Sequence, residues 1–131
     1  DQVWRPPWMT HANHAVGLAG VLLCVADPAD TVQRYARFTG LPAAQRGALW
    51  RMQTARGYLW FMDEATLRNA WGVSAPTLPW IAGYVIDSDD MQATARVIGD
   101  ALRHGERLCV SLPPTLGGII IFQANGSAPW A

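Results

Sequence analysis

The chain has 131 residues, half of them hydrophobic and only 15% charged, and its ten Lys plus Arg are balanced by ten Asp plus Glu. That length suits one packed domain, and the composition argues against disorder. The balanced charge leaves no footprint for nucleic acid or an anionic membrane, and the apolar runs are too short for a membrane helix. All ten cations are Arg, with no Lys, a bias that fits a GC-rich bacterial genome. Cys24 and Cys109 lie inside strand patterns without metal-type spacing. They read as two buried, reduced thiols of a cytoplasmic protein, consistent with the lack of a secretory signal at Asp1.

Taken in chain order, Asp1–Val16 carries Trp4, Pro6, Pro7 and Trp8 without any period. It reads as a leader or interdomain segment of something longer. The apolar run from Leu18 to Ala26 predicts a strand buried on both faces. Asp27 then offers an N-cap oxygen and Pro28 suits the first helical position. Val32, Tyr35, Ala36 and Thr39 share one stripe of that helix, and Gly40 supplies a left-handed stop. Leu41–Gln45 is ambiguous, with an edge strand as one reading. Ala48–Thr54 and Tyr58–Asp63 predict a hairpin around Ala55-Arg56-Gly57. A short helix over Ala65–Ala70 leads to a Pro-, Ser- and Thr-rich linker, Gly72–Pro79.

The second half repeats the order. A strand over Trp80–Asp87 leads to a helix capped by Ser88 or Asp89. Its stripe of Met91, Thr94, Ala95, Ile98 and Leu102 runs until Gly105. Arg107–Leu112 predicts a strand, Pro113-Pro114 breaks it, and Gly117-Gly118 turns into a last strand over Ile119–Ala124. The expected organisation is a leader over 1–16, a domain over 17–126 with modules 17–64 and 79–124, and a frayed tail over 127–131.

The repetition is the most informative feature, because a fixed internal period exposes the building unit. Leu22-Leu23-Cys24-Val25-Ala26-Asp27 and Ala82-Gly83-Tyr84-Val85-Ile86-Asp87 open the halves. Gly57-Tyr58-Leu59-Trp60-Phe61 and Gly118-Ile119-Ile120-Ile121-Phe122 close them. A strand, a helix and further strands, given twice, resemble the vicinal oxygen chelate superfamily of glyoxalase I, bleomycin-resistance proteins and extradiol dioxygenases. The resemblance covers Leu18–Ala124 and looks nearest to its glyoxalase-like domain branch. It implies an α+β fold of two βαβββ modules forming a curved, open eight-strand sheet with helices on the outer face.

The resemblance also implies that metal-dependent members place a ligand on the first and last strand of each module, converging in the concavity. Carried over residue by residue, those positions fall on Gly20, Trp60, Trp80 and Ile121. None offers a lone pair to a cation. Shifting the alignment by one residue brings in only Leu59 or Phe61, Ile81, and Ile120 or Phe122. A shift of two adds Gln123 alone. The expectation is therefore a metal-free module without a cofactor.

Strand alternation then puts Leu22, Cys24, Tyr58 and Met62 beside Gly20 and Trp60, and Trp80, Ala82, Tyr84, Ile119, Ile121 and Gln123 in the second module. That lining reads either as a cleft for a flat, apolar ligand or as bulky side chains filling the concavity as core. Arg51 and Gln53 on the hairpin strand either aim polar tips at the mouth or form a solvated strand face. The candidate ligand-binding residues are thus Trp60, Trp80, Tyr84, Tyr58, Arg51, Gln123 and Ile121, with no catalytic residue assigned. His11 and His14 read as part of a surface loop, His104 as a helix C-terminal complement, and Asp63-Glu64 as a helix start.

The expected function is a metal-free glyoxalase-like module. It binds a small hydrophobic or aromatic molecule, or serves as the non-catalytic half of a larger protein. The alternative is a glyoxalase-type lyase or isomerase with metal ligands at unusual positions or from a partner chain. Pairing as a homodimer, or with a second similar domain, is expected of such modules.

Overall fold

The computed structural model describes residues 15–98, 102–112 and 118–127. His11, His14, Pro113-Pro114 and Gly117 lie outside them. The architecture is α+β, a mixed sheet with three helices among the described residues. The described residues divide into two units, one spanning Gly20–Gly83 and the other combining Ala15–Ala19 with those from Tyr84 to Ser127. No helix among the described residues is long and apolar enough to cross a membrane.

In the Gly20–Gly83 unit, β1 (Ala15–Cys24) enters from the segment expected to be leader, so Ala15 and Val16 belong to the strand. Helix α1 (Pro28–Thr39) starts as the sequence dictates. The Asp27 side chain accepts from the Asp30 N–H at 3.1 Å, Pro28 stands in the first turn, and Gly40 at φ 75° closes the helix. Three strands follow: β2 (Ala43–Arg46), β3 (Leu49–Thr54) and β4 (Gly57–Met62). They form an antiparallel meander, and β1 lies parallel to β4 on its other side. The β3–β4 turn is pinned by Thr54, whose hydroxyl donates to the Gly57 carbonyl at 2.9 Å and accepts from the Arg56 N–H. Helix α2 (Glu64–Trp71) begins at Asp63, which caps the Thr66 N–H at 2.8 Å, so Asp63 starts the helix as expected.

The two faces of this sheet are distinct. Val32 and Ala36 of α1 pack on Leu23, Met52, Leu59 and Phe61. Tyr35 adds an edge-on contact to the Phe61 ring, with centroids 5.5 Å apart. Period two then commits Gly20, Leu22, Cys24, Tyr58, Trp60 and Met62 to the opposite face.

In the other unit, β5 (Trp80–Ser88) lies beside β8 (Ile119–Ala124), followed outward by β7 (Arg107–Ser111) and β6 (Leu102–His104). Helix α3 (Met91–Ile98) is capped by Asp90 rather than Ser88 or Asp89, through the Ala93 N–H at 3.0 Å. Ser88 instead shares a 2.7 Å hydrogen bond with the buried Thr94 hydroxyl. Met91, Ala95 and Ile98 pack on Ile86, Leu108 and Phe122, so the expected stripe does face the sheet. That stripe does not extend to Leu102. Leu102 and His104 pair with Cys109 and Arg107 in a tight hairpin, and Gly105 at φ 59° is its turn residue, not a helix stop. His104 is therefore no helix terminus. Asn125, one residue past β8, donates its N–H to the Ser88 carbonyl at 2.8 Å.

Candidate functional site

The face opposite α1 is built around a contact between a missing side chain and a large one. Gly20 stands beside Tyr58 in the parallel register, and Leu22 beside Trp60. A Cβ on Gly20 would overlap the Trp60 ring and the Tyr58 carbonyl oxygen. The indole thus occupies the space that any larger residue at position 20 would need. Trp60 is only 1% exposed, and Leu22, Cys24 and Met62 are completely buried beside it. Of the two expectations for this lining, its inner part is packed core.

Toward the β3 side the face becomes polar and more accessible. Tyr58 and Trp60 sit tilted with centroids 5.5 Å apart, and the Arg51 guanidinium lies 5.1 Å over the Tyr58 ring. Register places Arg51 beside Trp60 and Gln53 beside Tyr58. Arg51 and Tyr58 are half-buried, whereas Gln53 is exposed. A cation held on an aromatic face and flanked by an amide suits a planar molecule with a polar edge. Trp80 opens β5 and is half-buried.

The second unit corrects the phase read for β5. Ile86 packs against α3 and Ser88 bonds to its Thr94, so even-numbered residues of this strand face the helix. Alternation takes Tyr84 to that side, away from Ile121 and Gln123, and it is 39% exposed. Val85 and Asp87 instead share the opposite face with Ile119, Ile121 and Gln123. Ile121 is fully buried there and hydrocarbon throughout.

Gln123 is the centre of a polar chain that composition did not reveal. Its Nε2 donates to Asp87 Oδ1 at 3.0 Å, and its Oε1 accepts from Arg107 Nε at 2.9 Å. Both ends of the amide are used, and its orientation is fixed by them. Burial pushes the Arg107 pKa down, opposed by the charge of Glu106. Neither Asp87 nor Arg107 was singled out from the sequence. The available signal was a polar residue in phase with the buried apolar ones on each of three strands.

The two thiols are free and buried. Burial raises the Cys24 pKa, with Glu64 and Asp63 adding to it, and burial alone pushes Cys109 up to about 11. Neither is poised as a thiolate nucleophile.

The metal of the resembled superfamily does not fit these positions. Gly20 has no side chain and no room for one, Trp60 and Trp80 carry only an N–H donor, and Ile121 has no donor atom. Among the described residues, no group of three or more His, Cys, Asp or Glu is placed to hold an ion.

Comparison with solved structures agrees with the topology. A methylmalonyl-CoA epimerase from Mycobacterium tuberculosis superposes over 91% of this chain and 97% of its own, with a TM-score of 0.56 at 18% identity. The chain has the vicinal oxygen chelate fold. A Streptomyces coelicolor methylmalonyl-CoA epimerase variant in complex with 2-nitronate-propionyl-CoA matches at TM-score 0.53 and 13% identity, over 88% of this chain and 99% of its own. A glyoxalase/bleomycin resistance protein/dioxygenase from Nocardioides is also similar, with a TM-score of 0.43 and 16% identity over 88% of this chain and 89% of its own. No protein-family model matches the sequence, and no curated protein matches it.

Proposed function

We propose that this chain is a metal-independent glyoxalase-like module that binds a small apolar or aromatic molecule at the Arg51–Tyr58 rim. The observation that carries the reading is the Gly20–Trp60 contact, which fills one of the expected ligand positions with indole. The rim contributes what a flat ligand needs: an aromatic face, a cation and an adjacent amide. Neighbours of the same fold carry CoA-type ligands, which fits a small-molecule role. We infer further that the two βαβββ modules close into the curved eight-strand sheet of this fold. The module acts in a pair, as a homodimer or as the non-catalytic half of a larger protein, in the cytoplasm.

Two measurements test this. Elemental analysis after dialysis against equimolar zinc, nickel and cobalt is expected to find no stoichiometric ion, and a tightly held equivalent overturns the metal-independent reading. Titration with naphthalene-type planar ligands is expected to quench tryptophan fluorescence in a saturable way that Arg51→Ala weakens. An unchanged spectrum removes the rim as a binding site.

The alternative, a glyoxalase-type lyase or isomerase with ligands at unusual positions, draws on Asp87 and Gln123, an oxygen pair on the opening and closing strands of the second half. Gln123 Oε1 already accepts from Arg107, and the guanidinium beside it opposes a second cation. The same metal assay decides between the readings.

A further inference from the structure

We propose that the outward face of α1 is a self-association surface, on which two copies of this chain pack antiparallel through Phe38. The inference rests on the homodimer reading above and names its surface. It involves none of the rim residues.

Helix α1 has a committed inner side, where Val32 is buried and packs with Ala36 on Met52 and Phe61. At about 3.6 residues per turn, Thr31, Arg34 and Phe38 stack on the far side, with Asp30 and Tyr35 flanking them. Phe38 is 92% exposed and Tyr35 45%. A lone apolar residue in water is ordinary on a protein surface. Two aromatic rings three positions apart on one helix are neighbours, and together they make a patch. The helix itself does not need the outer ring. Its start is capped by the Asp27 side chain and its end by the Gly40 backbone, neither of which involves the Phe38 side chain.

The order of charges says what covers that patch. Asp30 lies in the first turn of α1, and Arg34 and Arg37 follow in its second half. Such a helix is complementary to itself when reversed. Antiparallel packing about the helix midpoint brings each Asp30 to the partner's Arg34 and Arg37, whereas parallel packing sets like charges level. Asp30 and Arg34 already pair at 3.1 Å within one helix, with both side chains more than half exposed. Across the dyad that pair joins an alternating cluster of charges, and the two helix dipoles oppose each other favourably. Each Phe38 meets the partner's first turn, where Pro28 and Ala29 are partly accessible and too small to obstruct a ring. The contact is isologous and closes at two copies. The 12 residues of α1 make about 18 Å of helix. A single helix pair falls short of the roughly 800 Å² per partner of a stable complex, so this dimer is weak and concentration-dependent.

The test is sedimentation equilibrium of the whole chain from about 1 µM to about 1 mM, with circular dichroism to confirm that each variant folds. A monomer–dimer equilibrium within that range is expected. Phe38→Ser is expected to weaken it by about tenfold or more. Asp30→Arg and Arg34→Glu each set like charges against the partner, and each alone is expected to stay monomeric. Mixed in equal amounts, the two restore the dimer, because every cross-pair is then opposite in sign. A native chain that is monomeric throughout overturns this proposal and the homodimer reading with it. A dimer that Phe38→Ser leaves intact, or a mixture that stays monomeric beside a dimeric native chain, overturns the α1 surface while the homodimer reading stands. Planar-ligand quenching reads the rim in the same samples, so the rim and this surface fail separately.

Discussion

The Trp60 ring stands where a Cβ on Gly20 would have to be, and the Tyr58 carbonyl closes the same space from the backbone side. One of those two obstacles is flexible and the other is not. This makes the pair a sensitive reporter of how the face opposite α1 is packed.

Gly20→Ala is expected to destabilise the fold by about 1–3 kcal/mol, the usual cost of overpacking a core. Urea unfolding read by circular dichroism checks it. In a double-mutant cycle, Trp60→Phe should recover part of the loss, because it relieves the ring and leaves the carbonyl in place. Additive effects would mean that the two residues do not meet.

Trp60→Ala should cost about 3–5 kcal/mol, in line with other buried aromatic truncations. If the rim operates as proposed, Trp60→Phe retains planar-ligand binding, since Arg51 and Tyr58 form the accessible part. Calorimetric titration of the two variants separates stability from affinity.

Asp63 illustrates a pH effect with a defined sign. The Thr66 backbone N–H, then its hydroxyl, hold the Asp63 carboxyl below the usual range. A depressed folded pKa contributes stability above the unfolded value, near 3.9, that is lost as pH falls through the folded one. Asp63→Asn should therefore flatten the acid limb of the stability curve below about pH 4. Asp63→Ala should remove the cap as well, at about 1 kcal/mol.

Cys109 behaves in the opposite sense. With its thiol pushed up to about 11 from an ordinary 9.0, the neutral form is favoured in the folded chain. Its contribution is complete below the unfolded pKa and is lost as pH rises through the folded one. Labelling by a thiol reagent at pH 8 is expected to be slow in the native protein and fast in urea. Rapid native labelling at Cys109 would mean that the β7 face is open.

Much of this was legible in the residues. Asp27-Pro28 and Gly40 bound α1 where capping chemistry places it, and the β3–β4 hairpin follows from its strand-forming runs around Ala55-Arg56. The shared face of Leu22, Tyr58 and Trp60 came from alternation alone, because both strands are regular and directly paired. The errors lie where a residue type serves two geometries. Gly105, at a positive φ, ends a helix or turns a hairpin equally well, and Leu102 continues a helical spacing while belonging to β6. In β5, buried residues fall on both faces, Ala82, Ile86 and Ser88 on one and Gly83 and Val85 on the other, so hydrophobicity carries no phase. Only the contacts of Ile86 and Ser88 with α3 reveal which side Tyr84 takes. Asp87 and Arg107 went unread for a related reason: their link passes through Gln123, far away in sequence, and no local pattern encodes it.

The Gly20–Trp60 fit also shapes which sequences can descend from this one. A coordinating side chain at position 20 cannot enter until the indole leaves, and an indole that leaves first abandons a void in a tightly packed layer. Either order passes through a weakened intermediate, so no single substitution can convert this face into a cation cage.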